Sequence, residues 1–103
     1  MKYLLVFDKV MVKQLKKVAK NEHLRIILSN MLDKLEILGP IGGKLLDSKL
    51  FIYEIKNKHP PIRLYFKHNA ITNEIYVFEF EMKTSTSKQQ RTIDSLKKKA
   101  SES

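Results

Sequence analysis

Apolar residues recur along this chain with two different periods, and the switch between them divides it in two. Residues 1–7 open with Tyr3, Leu4, Leu5, Val6 and Phe7, a run of mostly β-forming residues that predicts a short strand. Asp8 can cap a helix reaching about residue 20, with Met11, Leu15 and Val18 at helical spacing and lysines between them. A second helix is expected from about residue 23 to 38, where Leu24, Ile27, Leu28, Met31, Leu32, Leu35 and Leu38 form one broad stripe. All three glycines fall within residues 39–43, which marks this stretch as the main turn. From residue 49 the period becomes two, and 49–56, 62–68 and 74–82 read as strands joined by short hairpin connections. A last helix is expected over about 88–100, with residues 100–103 fraying. The order strand, helix, helix, three strands, helix predicts one α+β domain spanning residues 1–103, with no linker or internal repeat.

Parity assigns the faces of the expected sheet. Ile62, Leu64 and Phe66 point one way and Arg63, Tyr65 and Lys67 the other. Tyr53 and Ile55, with Phe51, oppose Glu54 and Lys56. Tyr76, Phe78, Phe80 and Met82 oppose Glu79 and Glu81. Keeping the apolar faces together sets Lys56 opposite Arg63 and Arg63 opposite Glu79, with Glu54, Tyr65 and Val77 in the next row. The apolar side is expected to take the helices and the charged side to stay uncovered. Two directly opposed cations destabilise a bare sheet. Glu79 offsets part of this, and a phosphate would offset the rest. A solvated salt-bridge ladder of Lys56, Arg63 and Glu79 is the competing reading.

The charge balance gives that row a context. The 103 residues carry 20 Lys and Arg against 11 Asp and Glu, a formal net charge of +9. Such a domain attracts polyanions at long range. Seventeen of the cations are Lys, so the three arginines, Arg25, Arg63 and Arg91, stand out. The absence of Cys excludes disulfide scaffolds, zinc ribbons and thiol nucleophiles. No apolar run is long enough to span a bilayer and no signal-peptide layout is present, so a soluble, cytoplasmic domain is the expectation. His23, His59 and His68 have no metal-ligand spacing, and no metal or cofactor is expected. His59 reads as a solvated loop residue, and His68 as the end of a strand near Phe51. Residues 39–44 lack the spacing of a phosphate loop.

The run Lys44-Leu45-Leu46, then Phe51-Ile52-Tyr53-Glu54-Ile55-Lys56, Ile62-Arg63-Leu64-Tyr65-Phe66, Ile75-Tyr76-Val77-Phe78 and Met82-Lys83-Thr84 resembles the RelE/ParE superfamily of toxin–antitoxin toxins. The likeness is strongest to its phage-derived, HigB-like branch and covers about residues 8–100. It rests on order and spacing, not on one diagnostic motif. It implies an N-terminal strand and helical hairpin packed on an antiparallel sheet, with a C-terminal helix. It also implies a small basic endoribonuclease that cuts mRNA, typically on the ribosome, and is held inactive by a cognate antitoxin. The implied chemistry is metal-independent attack of a ribose 2′-OH on the adjacent phosphate, which needs a base, cations for the developing charge and an acid for the leaving oxygen.

Carried over by position, Arg63 matches the family's phosphate-binding strand arginine. Lys56 matches the basic residue ending the preceding strand, and Lys83 the one after the last strand. Glu54 sits near the base position. With Glu79, these form the candidate catalytic set. Lys44, Lys49, Lys67, Lys88 and Arg91 are the candidate RNA-binding cations. The chain departs from the family pattern in having no Tyr after Tyr76 and no His after His68. Proton transfer then falls to Glu54, Glu79, Glu81 or a lysine, or activity is weak or lost. Two alternatives stay open: a non-catalytic module on the toxin fold that binds antitoxin or nucleic acid, and a ParE-like gyrase inhibitor.

Overall fold

The computed structural model describes residues 2–82 and 85–102. Its order is β1 (Leu4–Phe7), α1 (Lys9–Val18), α2 (Glu22–Leu38), a short 3-10 turn (Gly39–Gly42), β2 (Lys44–Asp47), β3 (Ile52–Asn57), β4 (Ile62–Asn69), β5 (Glu74–Met82) and α3 (Thr86–Glu102). The fold is α+β, with three helices on a five-stranded mixed sheet ordered β1-β5-β4-β3-β2. β3, β4 and β5 form the expected antiparallel core, while β1 joins the far edge parallel to β5.

Local chemistry sets the boundaries. Asp8 caps α1 by accepting from the Val10 amide at 2.9 Å, and Asn21 caps α2 through the Leu24 amide at 3.2 Å. Gly39 ends α2 with φ +59°, and a Cβ there would lie 2.4 Å from the Tyr3 ring. That contact sets the hairpin against the start of β1. α3 runs two residues past its expected end at residue 100, because Ala100 is buried on the sheet rather than frayed. β2 is a strand that the pattern does not predict, only four residues long and pairing at the sheet edge with β3.

Two apolar layers flank the sheet. Met11, Leu28, Met31 and Leu35 of the hairpin pack on Ile55, Ile62, Leu64, Phe66, Ile75, Val77 and Phe80. On the other face, Leu96 and Ala100 of α3 pack on Ile52, Tyr65 and Phe78. This corrects the expectation of an uncovered charged face, since α3 lies across it and Tyr65 is fully buried.

A β-bulge corrects the register. Lys56 does lie opposite Arg63, and Glu54 opposite Tyr65. Across the next strand pair, however, Arg63 faces Glu81 and Tyr65 faces Glu79, and the register then shifts so that Phe66 faces Val77. One extra residue in β5 turns Tyr76 and Phe78 towards α3, while Phe80 stays with the hairpin. Strict alternation places all three on one face, and the bulge is the reason it fails. Phe51 is also misplaced by parity: it precedes β3 with φ 55° and is half exposed.

Candidate functional site

Three of the predicted catalytic residues meet on the α3 side of the sheet, where β3 and β4 run side by side. Glu54, Lys56 and Arg63 share a face by alternation, and antiparallel pairing sets Lys56 beside Arg63. The Glu54 side chain is 1% exposed, an unusual place for a carboxylate unless it is paired. Both its oxygens accept from Arg63 Nη1, at 3.2 and 3.1 Å. Lys56 Nζ lies 3.6 Å from the same carboxylate, and Gln89 of α3 donates to it at 3.4 Å. The guanidinium thus enters the site braced through one nitrogen, with Nη2 and Nε on its remaining edges. Two cations lie side by side without a direct clash because a buried anion sits between them.

Glu79 does not belong to this group. The bulge sets it opposite Tyr65, on a recess of about 280 Å³ lined also by Lys88, Arg91, Thr92 and Ser95. Burial raises its pKa above the usual carboxylate range, Lys99 opposes the shift, and Glu81 and Asp8 add to it. Glu81, the residue opposite Arg63, is engaged elsewhere: it accepts from the Tyr65 hydroxyl and from Thr92 Oγ1 at 2.8 Å. Burial and that carboxylate push the Tyr65 phenol well above its ordinary range. Lys83 lies outside the described residues.

The candidate RNA-binding cations scatter around this centre. Lys44 faces Glu54 across β2 and β3, and Lys49 is exposed in the turn after β2. Lys88 and Arg91 lie on α3 beside Glu79. Lys67 lies further along β4, opposite Tyr76, on a separate recess of about 270 Å³.

Sequence reasoning missed two features. The first is a polar knot at the other end of α3, where Asp8 accepts from the Tyr76 hydroxyl at 2.6 Å and from Lys99 Nζ at 3.3 Å. Burial alone would raise the Asp8 pKa, but the hydrogen bonds from Tyr76, the Val10 amide and Lys99 outweigh it and hold it below 3.8. Tyr76 is correspondingly pushed up to about 12 by that hydrogen bond and by burial. The second is a recess of about 310 Å³ beside Arg63 and Lys56, whose other walls are Asn57, Lys58, His59, Pro61 and Ile62. The only hint in the sequence is the short connection between two strands, which brings its residues back beside the strand ends.

No protein-family model matches the sequence, and no curated protein matches it. Solved structures do share its architecture. A mutant of the E. coli toxin RelE in the free state aligns over 92% of this chain and 98% of that chain, with a TM-score of 0.70 and 19% identity. A chain of the intact E. coli RelBE toxin–antitoxin complex aligns over 81% of this chain and 99% of that chain, with a TM-score of 0.64 and 20% identity. The RelBE2 toxin–antitoxin complex of Mycobacterium tuberculosis gives a TM-score of 0.66 at 13% identity, over 81% of this chain and 100% of that chain. At these identities the likeness is one of fold, and the chain has the fold of RelE toxins. Among the described residues, no helix is long and apolar enough to cross a membrane.

Proposed function

We propose that this protein is the toxin of a type II toxin–antitoxin pair, of the HigB-like branch, and a metal-independent endoribonuclease acting on ribosome-bound mRNA. The observation that carries this reading is the pairing of Arg63 and Lys56 on a RelE-type sheet, both held by the buried Glu54 carboxylate. A fixed guanidinium and an adjacent ammonium are what a transferring phosphate needs. As the 2′-OH attacks, the phosphodiester gains charge, and cations already in place stabilise that state more than the ground state. Arg63 supplies a planar fork for two phosphate oxygens and Lys56 a point charge. Glu54 acts as a positioning residue here. Its carboxylate is taken up by Arg63, Lys56 and Gln89, which leaves it poorly suited to accept a substrate proton.

The net charge of +9 supports RNA as a partner and an acidic antitoxin as another. Induced expression in a bacterium tests the reading. Growth should stop and new mRNA 5′ ends should appear within coding regions, while co-expression of the neighbouring reading frame restores growth and yields a co-purifying complex. Continued growth with unchanged mRNA ends would leave a non-catalytic binding module on the same fold. Growth arrest with intact mRNA and blocked DNA supercoiling would point to the gyrase-directed alternative.

A further inference from the structure

Of the three carboxylates considered for proton transfer, Glu54 and Glu81 are engaged and Glu79 lies away from Arg63. Glu54 holds the two cations, Glu81 accepts from Tyr65 and Thr92, and Glu79 faces the α3 recess with Lys88 and Arg91. Among the residues lining the recess that opens onto Arg63 and Lys56, His59 alone carries an imidazole, the side chain most often used as a general base. His59 belongs to the four-residue connection between β3 and β4, whose path is set by Asn57 Nδ2 donating to the Pro60 carbonyl at 2.9 Å. The imidazole is exposed, so it stays open to a ligand. The charged groups lining the recess with it are Lys56, Lys58 and Arg63, with Glu54 behind them. A recess of about 310 Å³ with three cations, one imidazole and an apolar floor at Ile62 suits a ribose and its 3′-phosphate.

We infer that His59 is the general base of the RNA cleavage proposed above, a role that rests on that reading. Neutral imidazole takes the proton of the 2′-OH as its oxygen forms a bond to phosphorus. The bond from phosphorus to the 5′ oxygen breaks, and that oxygen takes a proton from the Lys56 ammonium. The products are a 2′,3′-cyclic phosphate and a free 5′-OH, with His59 protonated and Lys56 neutral. Exchange with water restores both. Arg63 holds the non-bridging oxygens throughout.

The test is the pH–rate profile of mRNA cleavage by wild type, His59→Ala, His59→Gln and the distant control His23→Gln. Wild type and His23→Gln should gain rate with rising pH and then level off. Both His59 variants should be slower by about 100-fold, without that rising limb. Added imidazole should restore His59→Ala and leave His59→Gln unchanged. A His59→Ala enzyme that keeps the wild-type limb, or that imidazole does not restore, overturns the assignment while the nuclease reading stands. A wild type that cleaves nothing overturns both. A second readout does not depend on turnover: the His59 ring resonances should shift when a 2′-deoxy analogue of the RNA is added, and unshifted resonances at saturation would remove the substrate from this recess.

Discussion

Glu54 decides the character of the site. A buried carboxylate that loses its cations, or cations that lose their carboxylate, leave uncompensated charge, at a cost of about 3–5 kcal/mol. Glu54→Ala should therefore lower the free energy of unfolding by about that amount in urea denaturation, whereas Lys56→Ala, at a half-exposed position, should change it by less than about 1 kcal/mol. Equal losses from the two variants would mean that Glu54 is not the anchor. Asp8 and Tyr76 give a second expectation, with opposite pH signs. Asp8 has a lowered pKa when folded, so its contribution is complete above 3.8 and is lost as pH falls below that value. Tyr76 is raised to about 12, so its contribution is complete below its ordinary value of 10.0 and is lost as pH rises towards 12. Tyr76→Phe should flatten the alkaline limb of a stability–pH curve and leave the limb below pH 4 in place, though weakened. Among single residues, the sequence identified Lys56 correctly as the neighbour of Arg63, because alternation and one strand pair were enough. It assigned the wrong acid to Arg63, because a two-residue slip between β4 and β5 leaves the alternation unchanged, and so it gave Glu79 where Glu81 lies opposite and Glu54 makes the contact.

Among the elements, α3 joins the two ends of the sheet. It is polar over most of its surface, yet Leu96 is fully buried, and Gln89, Thr92, Lys97 and Lys99 reach Glu54, Glu81, Asp47 and Asp8. Leu96→Ala should cost about 2–5 kcal/mol and raise hydrogen exchange along the α3 amides first. Uniform exchange across all three helices would show α3 to be no separate unit. Glu79 is the counterexample within the same interface. Burial disfavours its charged form, so Glu79→Gln should raise the melting temperature at pH 7 and lose that advantage near pH 4. The helices and the strand 74–82 were legible because their periods are long and regular. The covering of the second face was visible only indirectly, in the unbroken apolar runs Leu64-Tyr65-Phe66 and Ile75-Tyr76-Val77-Phe78, which suit a strand buried on both sides. β2 gave no such signal, since four edge residues with two exposed do not set a period.

For the whole molecule, the order of elements was enough to predict an α+β domain, the resemblance of its motifs added the RelE-like architecture, and solved structures at 13–20% identity share that fold. The parallel placement of β1 needed the three-dimensional structure, because nothing local distinguishes an edge strand's direction. The charge of +9 acts at this scale too: RNA affinity should fall steeply and linearly in log–log form between 50 and 200 mM salt, and a flat dependence would separate binding from the basic surface. The role proposed for Arg63 is to stabilise a phosphate during RNA cleavage. Its most direct test is cleavage of ribosome-bound mRNA by purified wild type and Arg63→Ala in the presence of EDTA, with product ends analysed and circular dichroism confirming the fold. Cyclic-phosphate and 5′-hydroxyl ends are expected from the wild type, with a loss of about 100-fold in rate for Arg63→Ala. A folded Arg63→Ala protein that cuts as fast as the wild type would contradict that role.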